Sequence, residues 1–189
     1  MIAEGIYVAH MTTEATPVRT SAADSSSAAG QSDTADQNLD TALSVSRAIL
    51  AGDWPRLDAL LAPGFSYEGD LGRPYTRDEY IGFMQAMRAA MSDMTMDFTH
   101  TVSSGDLVSV RFVTRARQTG KFMGAPATGK QLEIRGVFVR RILDGQVVQE
   151  WQSTDLLWML TQMGFGTLLG YSVGAGLLRK TPPIPARVA

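Results

Sequence analysis

The chain has 189 residues, no cysteine, two histidines, and 17 Lys and Arg against 19 Asp and Glu for a net charge of −2. That length suits one domain with a real core, or a smaller domain with tails. The charge balance leaves no basic field for a nucleic acid; the missing cysteines exclude disulfide and thiolate chemistry, and His10 and His100 alone argue against a His-rich metal site or a His relay. Residues 1–34 read as a disordered tail, because Thr12 to Thr34 is rich in Ser, Ala, Thr and Asp and has too few large apolar side chains to offset ordering entropy. The His10-Met11 junction reads as a cloning remnant, with the native start expected at Met11. No apolar core follows a positive stretch, so the expectation is a soluble, cytoplasmic protein.

The ordered domain is expected over residues 35–165. Leu39, Leu43, Val45, Ile49 and Leu50 fall near helical spacing, with Gly52 where a C-cap belongs. Asp53-Trp54-Pro55 opens a short helix through Leu57, Leu60 and Leu61, ended by Pro63-Gly64. Phe65 to Tyr67 is a short strand-like piece. Thr76-Arg77-Asp78-Glu79 has the capping-box form, and Tyr80, Phe83, Met84, Met87 and Met91 make a stripe behind it. From Met94 the period changes to two: Met94, Met96 and Phe98, then Val108, Val110 and Phe112, predict two strands. After the loop Thr119 to Thr128, strands Leu132 to Ile142 and Val147 to Thr154, joined by Asp144-Gly145, complete a four-strand antiparallel meander. Helices first and strands later is an α+β pattern. Leu156 to Met163 predicts a last short helix. Residues 166–189 form an apolar, Gly-rich extension, too short and Gly-broken for a membrane span, expected to pack as an irregular lid or dimer contact before a frayed end.

Several spaced blocks occur in one order: Gly120-x-Phe122-x-Gly124-x-Pro126-x-Thr128-Gly129, Arg141-x-x-Asp144-Gly145, Glu150-Trp151-x-x-x-Asp155 and Gln162-Met163-Gly164. Together they resemble the signature of the SnoaL-like polyketide cyclases over residues 36–165. The resemblance implies a cone-shaped, nuclear-transport-factor-2-like α+β barrel, with N-terminal helices packed on a curved, mainly antiparallel sheet around an apolar pocket. It implies a lyase or isomerase type of enzyme in antibiotic and related natural-product biosynthesis, closing a ring in a polyketide without metal or cofactor, by acid-base transfer or by pericyclic closure. The aspartate serving as acid-base residue in the aromatic-polyketide cyclases falls on Gln152, their supporting histidine on Phe138 and a pocket asparagine on Tyr67.

A carboxyl among apolar walls has its charged form disfavoured, so it can give and take protons near neutrality. If Val148 faces the core, Glu150 and Gln152 share the pocket face of the last strand. Glu150, Gln152, Asp155 and Tyr67 are therefore the catalytic candidates, and Trp54, Phe83, Met87, Phe122, Met123 and Phe138 the substrate-binding ones. The bland alternatives are that Asp155 caps the last helix and that Glu150 pairs with an arginine such as Arg135 or Arg115. His100 reads as a surface strand residue. An epoxide-opening enzyme, which needs an Asp-Arg-Asp set that only Asp155 and Arg135 could begin to supply, and a non-catalytic small-molecule-binding module are the alternative functions. Val137, Val139 and Trp151 alternate outward, so a second copy of the chain is expected to cover them; the resemblance implies a small-molecule polyketide substrate, and neither nucleic acid nor membrane is an expected partner.

Overall fold

The computed structural model describes residues 22–70, 72–122, 125–173 and 185–188. Three helices come first. α1 (Ala22–Ala51) stops where Gly52 turns to a φ of +73°. It starts upstream of Asp36, inside the stretch expected to be a tail; alanines at 22, 23, 28 and 29 carry helix propensity that a search for an apolar face does not register. α2 (Trp54–Leu60) is capped by Asp53, whose side chain accepts from the Arg56 N–H at 3.0 Å. α3 (Arg77–Ala89) begins in a full capping box between Thr76 and Glu79.

One six-stranded sheet follows the order β2-β1-β6-β5-β4-β3. The expected antiparallel meander is β3 (Met91–Ser104), β4 (Leu107–Gln118), β5 (Gln131–Leu143) and β6 (Gln146–Thr154). Asp144 and Gly145 make the last hairpin turn with φ of +51° and +74°, the mirror-image turn that matches strand twist. β1 (Leu61–Glu68) and β2 (Tyr75–Thr76) extend the sheet beyond the predicted meander. Leu61 opens β1 and does not end α2, and β1 runs parallel to β6 with Tyr67 opposite Glu150. Local periodicity cannot report such a pairing, which brings together residues far apart in the chain.

β6 holds one residue more than β5 between the pairs Arg141–Gln149 and Ile142–Val147. This bulge changes the phase of the strand. Val147, not Val148, takes the fully buried core position, yet Glu150 and Gln152 still point inward because the extra residue is spent before them. On the opposite face Val137 is exposed and Val139 and Trp151 are half-buried. The inward face packs on α1 and α3 through Val45, Tyr80, Ile81, Met84, Val110 and Phe138. A second apolar cluster joins the sheet's far end to α4 (Leu156–Met163) through Leu132, Ile134, Met159, Leu160 and Met163. The stretch expected to be irregular continues as α5 (Phe165–Ser172) despite Gly166 and Gly170; the rest of that expectation, at 174–184, lies outside the described residues. No described helix is long and apolar enough to cross a membrane.

Residues 185–188 lie against α3. The Gln85 amide donates to the Val188 carbonyl at 2.8 Å and accepts from the Val188 N–H at 2.7 Å, while Arg187 pairs with Asp58 and Asp78, each at 2.9 Å. Contact is closest at Gly82, where an added Cβ would stand 2.5 Å from the Pro185 oxygen and 2.7 Å from the Arg187 nitrogen. Gly82→Ala should therefore gain about 1 kcal/mol of helix propensity and still lift this segment off. Amide exchange at Val188 is expected to accelerate about tenfold or more, and unchanged protection would contradict the account.

Candidate active site

Two adjacent hollows lie between α3 and the inward face of the sheet, of about 570 and 530 Å³ including their open mouths. Met84 and Met87 of α3, Ile134 of β5 and Gln152 of β6 belong to the walls of both. In the first hollow Phe83, Phe122, Leu156 and Met159 add apolar wall. Phe122 arrives on the loop between β4 and β5, and its ring centroid is 5.9 Å from that of Phe83. Gln118 holds that loop: fully buried, its amide donates to the carbonyls of Gly120 and Pro126 at 3.3 and 3.1 Å and accepts from the Thr128 hydroxyl at 2.7 Å.

The polar groups of the first hollow are Tyr67, Asp70, Gln152 and Thr154. Asp70 follows the end of β1 and accepts from the Thr154 N–H at 2.9 Å, which fixes its carboxylate across the end of β6. Burial raises the Asp70 carboxyl above its ordinary value of 3.8, against the lowering effect of the bonds from Thr154 and Ser153. Burial, with the nearby Glu150 and Asp70 charges, pushes the Tyr67 phenol far above its ordinary value, so it keeps its proton. Gly69 makes this arrangement possible: a Cβ there would lie 2.2 Å from the Tyr67 hydroxyl oxygen. The Gln152 amide donates to the Thr154 hydroxyl at 3.0 Å. A hydrogen-bond donor that stays protonated thus shares a mostly apolar hollow with a carboxyl of raised pKa.

Arg140, in the wall of the second hollow, belongs to a charged pair with Glu150 behind it. Arg140 and Glu150 face each other across β5 and β6, with the guanidinium Nε 2.6 Å from a carboxylate oxygen and both side chains almost wholly buried. Tyr80 of α3 donates to the same oxygen at 3.2 Å, and Arg140 also donates to the Ala42 carbonyl and, at 3.0 Å, to the Ser46 hydroxyl of α1. The guanidinium lies 3.9 Å from the centre of the Phe138 ring. Burial alone would lower the Arg140 pKa; Glu150 outweighs it and holds it above the ordinary value.

Comparison with known proteins adds the family. The model of the SnoaL-like polyketide cyclase family matches residues 40–163. This chain belongs to that family. Among solved structures, IdmH of Streptomyces antibioticus, described as a candidate polyketide cyclase, is 32% identical over 67% of this chain and 98% of its own, with a TM-score of 0.61. A candidate SnoaL-like polyketide cyclase from Jannaschia is 23% identical over 69% of this chain and 93% of its own, at 0.64. AclR of Streptomyces galilaeus, described as a candidate hydroxylase, is 19% identical over 68% and 96%, at 0.63, and shares the fold. No curated protein matches.

The SnoaL-like fold brings some of the expected residues together and separates others. Tyr67, Gln152, Phe83, Met87 and Phe122 line the first hollow, and Phe138, Met87 and Gln152 the second. Phe138 and Gln152 are direct cross-strand partners. Glu150 lies behind the walls, paired with Arg140; Arg115 and Arg135 instead bond Glu133 at 3.1 and 2.5 Å. Asp155 is exposed and caps α4, accepting from the Trp158 N–H at 3.1 Å. Trp54 lines a separate groove beside Gly82 and Pro185, and Met123 lies outside the described residues. Asp155 and Arg135 therefore do not form part of an Asp-Arg-Asp set in either hollow. Among the described residues, no three or more His, Asp or Glu side chains converge as a metal site. His100 is exposed on β3, as expected.

Asp70 and Gly69 are the residues that sequence reasoning missed. The available signal was a Tyr-x-Gly-Asp run leaving a strand, in which glycine permits close approach and aspartate can bond a neighbouring backbone. Arg140 was hidden because it sits at an inward position of a strand otherwise apolar on that face.

Glu150→Gln should leave the Arg140 charge buried and uncompensated, at a cost of about 3–5 kcal/mol in urea unfolding. The double variant Arg140→Met with Glu150→Leu should lose less than Glu150→Gln alone. A double variant as unstable as the sum of its singles would show that the two side chains do not act as a pair.

Proposed function

We propose that this chain closes a ring within a flexible, largely apolar polyketide, with no cofactor, by holding it folded between α3 and the sheet while Asp70, Tyr67 and Gln152 serve the reacting carbons. The observation that carries this reading is the convergence of a raised-pKa carboxyl and a permanently protonated phenol on one apolar hollow. In the acid-base form, the Asp70 carboxylate takes a proton from a carbon next to a carbonyl while the Tyr67 hydroxyl donates to that carbonyl oxygen as negative charge develops. The resulting enolate carbon attacks a second carbonyl of the same chain, forming the ring bond. The new alkoxide takes the proton back from Asp70. Gln152 donates and accepts hydrogen bonds only, since an amide does not exchange a proton at neutral pH.

A pericyclic closure, in which the walls do the work and no proton moves, is supported by the scarcity of ionisable groups: Asp70 is the one carboxylate among the described lining residues of the first hollow. The two forms separate on complementation of a deletion strain, with the cyclised product measured by mass spectrometry. For acid-base closure, Asp70→Asn is expected to lower product formation about a hundredfold or more. In a purified assay the rate should fall as pH drops through the raised Asp70 pKa, and that acidic limb should vanish in the variant. For shape-driven closure, Asp70→Asn costs little and Phe122→Ala or Met87→Ala costs more, because they loosen the mould. Unchanged product in all three variants would favour a binding module.

The same reading includes a homodimer formed through the outward sheet face, supported by exposed Val137 beside half-buried Val139 and Trp151. Sedimentation at micromolar concentration should give twice the chain mass, and a one-chain mass would reject it.

A further inference from the structure

The second hollow contains a buried hydroxyl that no described residue bonds. Thr114 is buried on the inward face of β4, between Met96 of β3 and Ile134 of β5 in the strand register, and all three line that hollow. Its hydroxyl has no hydrogen-bond partner among the described residues. The other hydroxyls of this hollow are engaged, Tyr80 with Glu150 and Ser46 with Arg140. A hydroxyl buried without a partner carries a desolvation cost that an aliphatic side chain of the same shape would avoid. Valine would fill this place between methionine and isoleucine with the same branching. A ligand oxygen would remove the cost.

The position of Thr114 says what such a ligand must look like. Through Phe138 and Val110, Gln152 shares a row of the sheet with a residue four positions before Thr114 on β4. At strand rise, that places Thr114 roughly 13 Å further along the sheet than the Gln152 row. Between them the walls are Phe112 and the methionines 84 and 87, with Gly136 leaving room for the Phe112 ring, since a Cβ there would meet it at 2.7 Å. An elongated chain with oxygen at intervals fits polar groups at the two ends and apolar contact between.

We propose that Thr114 determines specificity in the second hollow, two strands across the sheet from the Thr154 backbone that anchors Asp70, its hydroxyl bonding one oxygen of an extended oxygenated chain whose reacting part lies at Asp70 and Tyr67. This assignment rests on the cyclase reading above. Displacement of N-phenyl-1-naphthylamine fluorescence by 2-nonanone and by 1-nonene, a matched ketone and hydrocarbon, tests it. The full chain should bind the ketone about fivefold more tightly; Thr114→Val should bind both alike without a lower melting temperature, and Thr114→Ser should keep the preference. A ketone preference absent from the full chain, or retained in Thr114→Val, overturns the assignment. If the preference is retained there but lost in Tyr67→Phe, the oxygen is read in the first hollow, and the cyclase reading stands without this one. Failure of Thr114→Val to fold would reveal a partner for the hydroxyl inside the protein and also overturn it. If neither compound displaces the dye from the full chain, the assignment and the apolar-cavity reading fall together.

Discussion

A guanidinium taken out of water has to be paired, and the pairing of Arg140 holds the site's elements in place. Its Nε meets Glu150 across the strand, another nitrogen reaches Ala42 and Ser46 on α1, and the shared carboxylate accepts from Tyr80 on α3. Two helices and two strands are therefore positioned by one charged cluster. Apolar packing alone tolerates small slips because it is not directional. Hydrogen bonds to a buried charge do not, and this sets where α3 sits over the sheet, hence the width of the hollows between them.

On the other side of the same helix the constraint is steric. Gly82 lets residues 185–188 approach the α3 backbone, and Gln85 fastens them there. Those residues fall beyond the stretch shared with the family, which ends at Met163. Phe83, Met84 and Met87 therefore stand on a helix held from inside by a common fold and from outside by a feature of this chain.

The first hollow depends on close approach as well. Gly69 leaves space for the Tyr67 hydroxyl, Asp70 is anchored to the Thr154 backbone, and Gln118 ties down the loop that delivers Phe122. Each contact fixes a group that would wander if solvated. Fixed polar groups beside apolar walls suit either form of ring closure, since both need a flexible chain held in one shape.

The order of helices and meander strands was legible from periodicity and caps: Thr76 with Glu79, Asp53 before Trp54, and Asp144-Gly145 state their local structure in a few residues. The alternation that put Gln152 and Phe138 inward was also local, as was the block pattern that identified the family. What periodicity could not supply was any relation between distant segments. The parallel contact of β1 with β6, the bulge that moved Val147 into the core and the choice of Arg140 over Arg115 or Arg135 as the partner of Glu150 all depend on which strands meet and in what register. Asp155 and Glu150 read as acids of the site on spacing alone. Folding gave one a helix end to cap and the other a buried cation, and left Asp70, on a loop with no periodic signature, as the carboxylate among the described residues that line the first hollow. A side chain's chemistry belongs to the residue, but its pKa and its role belong to what surrounds it, and only the tertiary structure decides that.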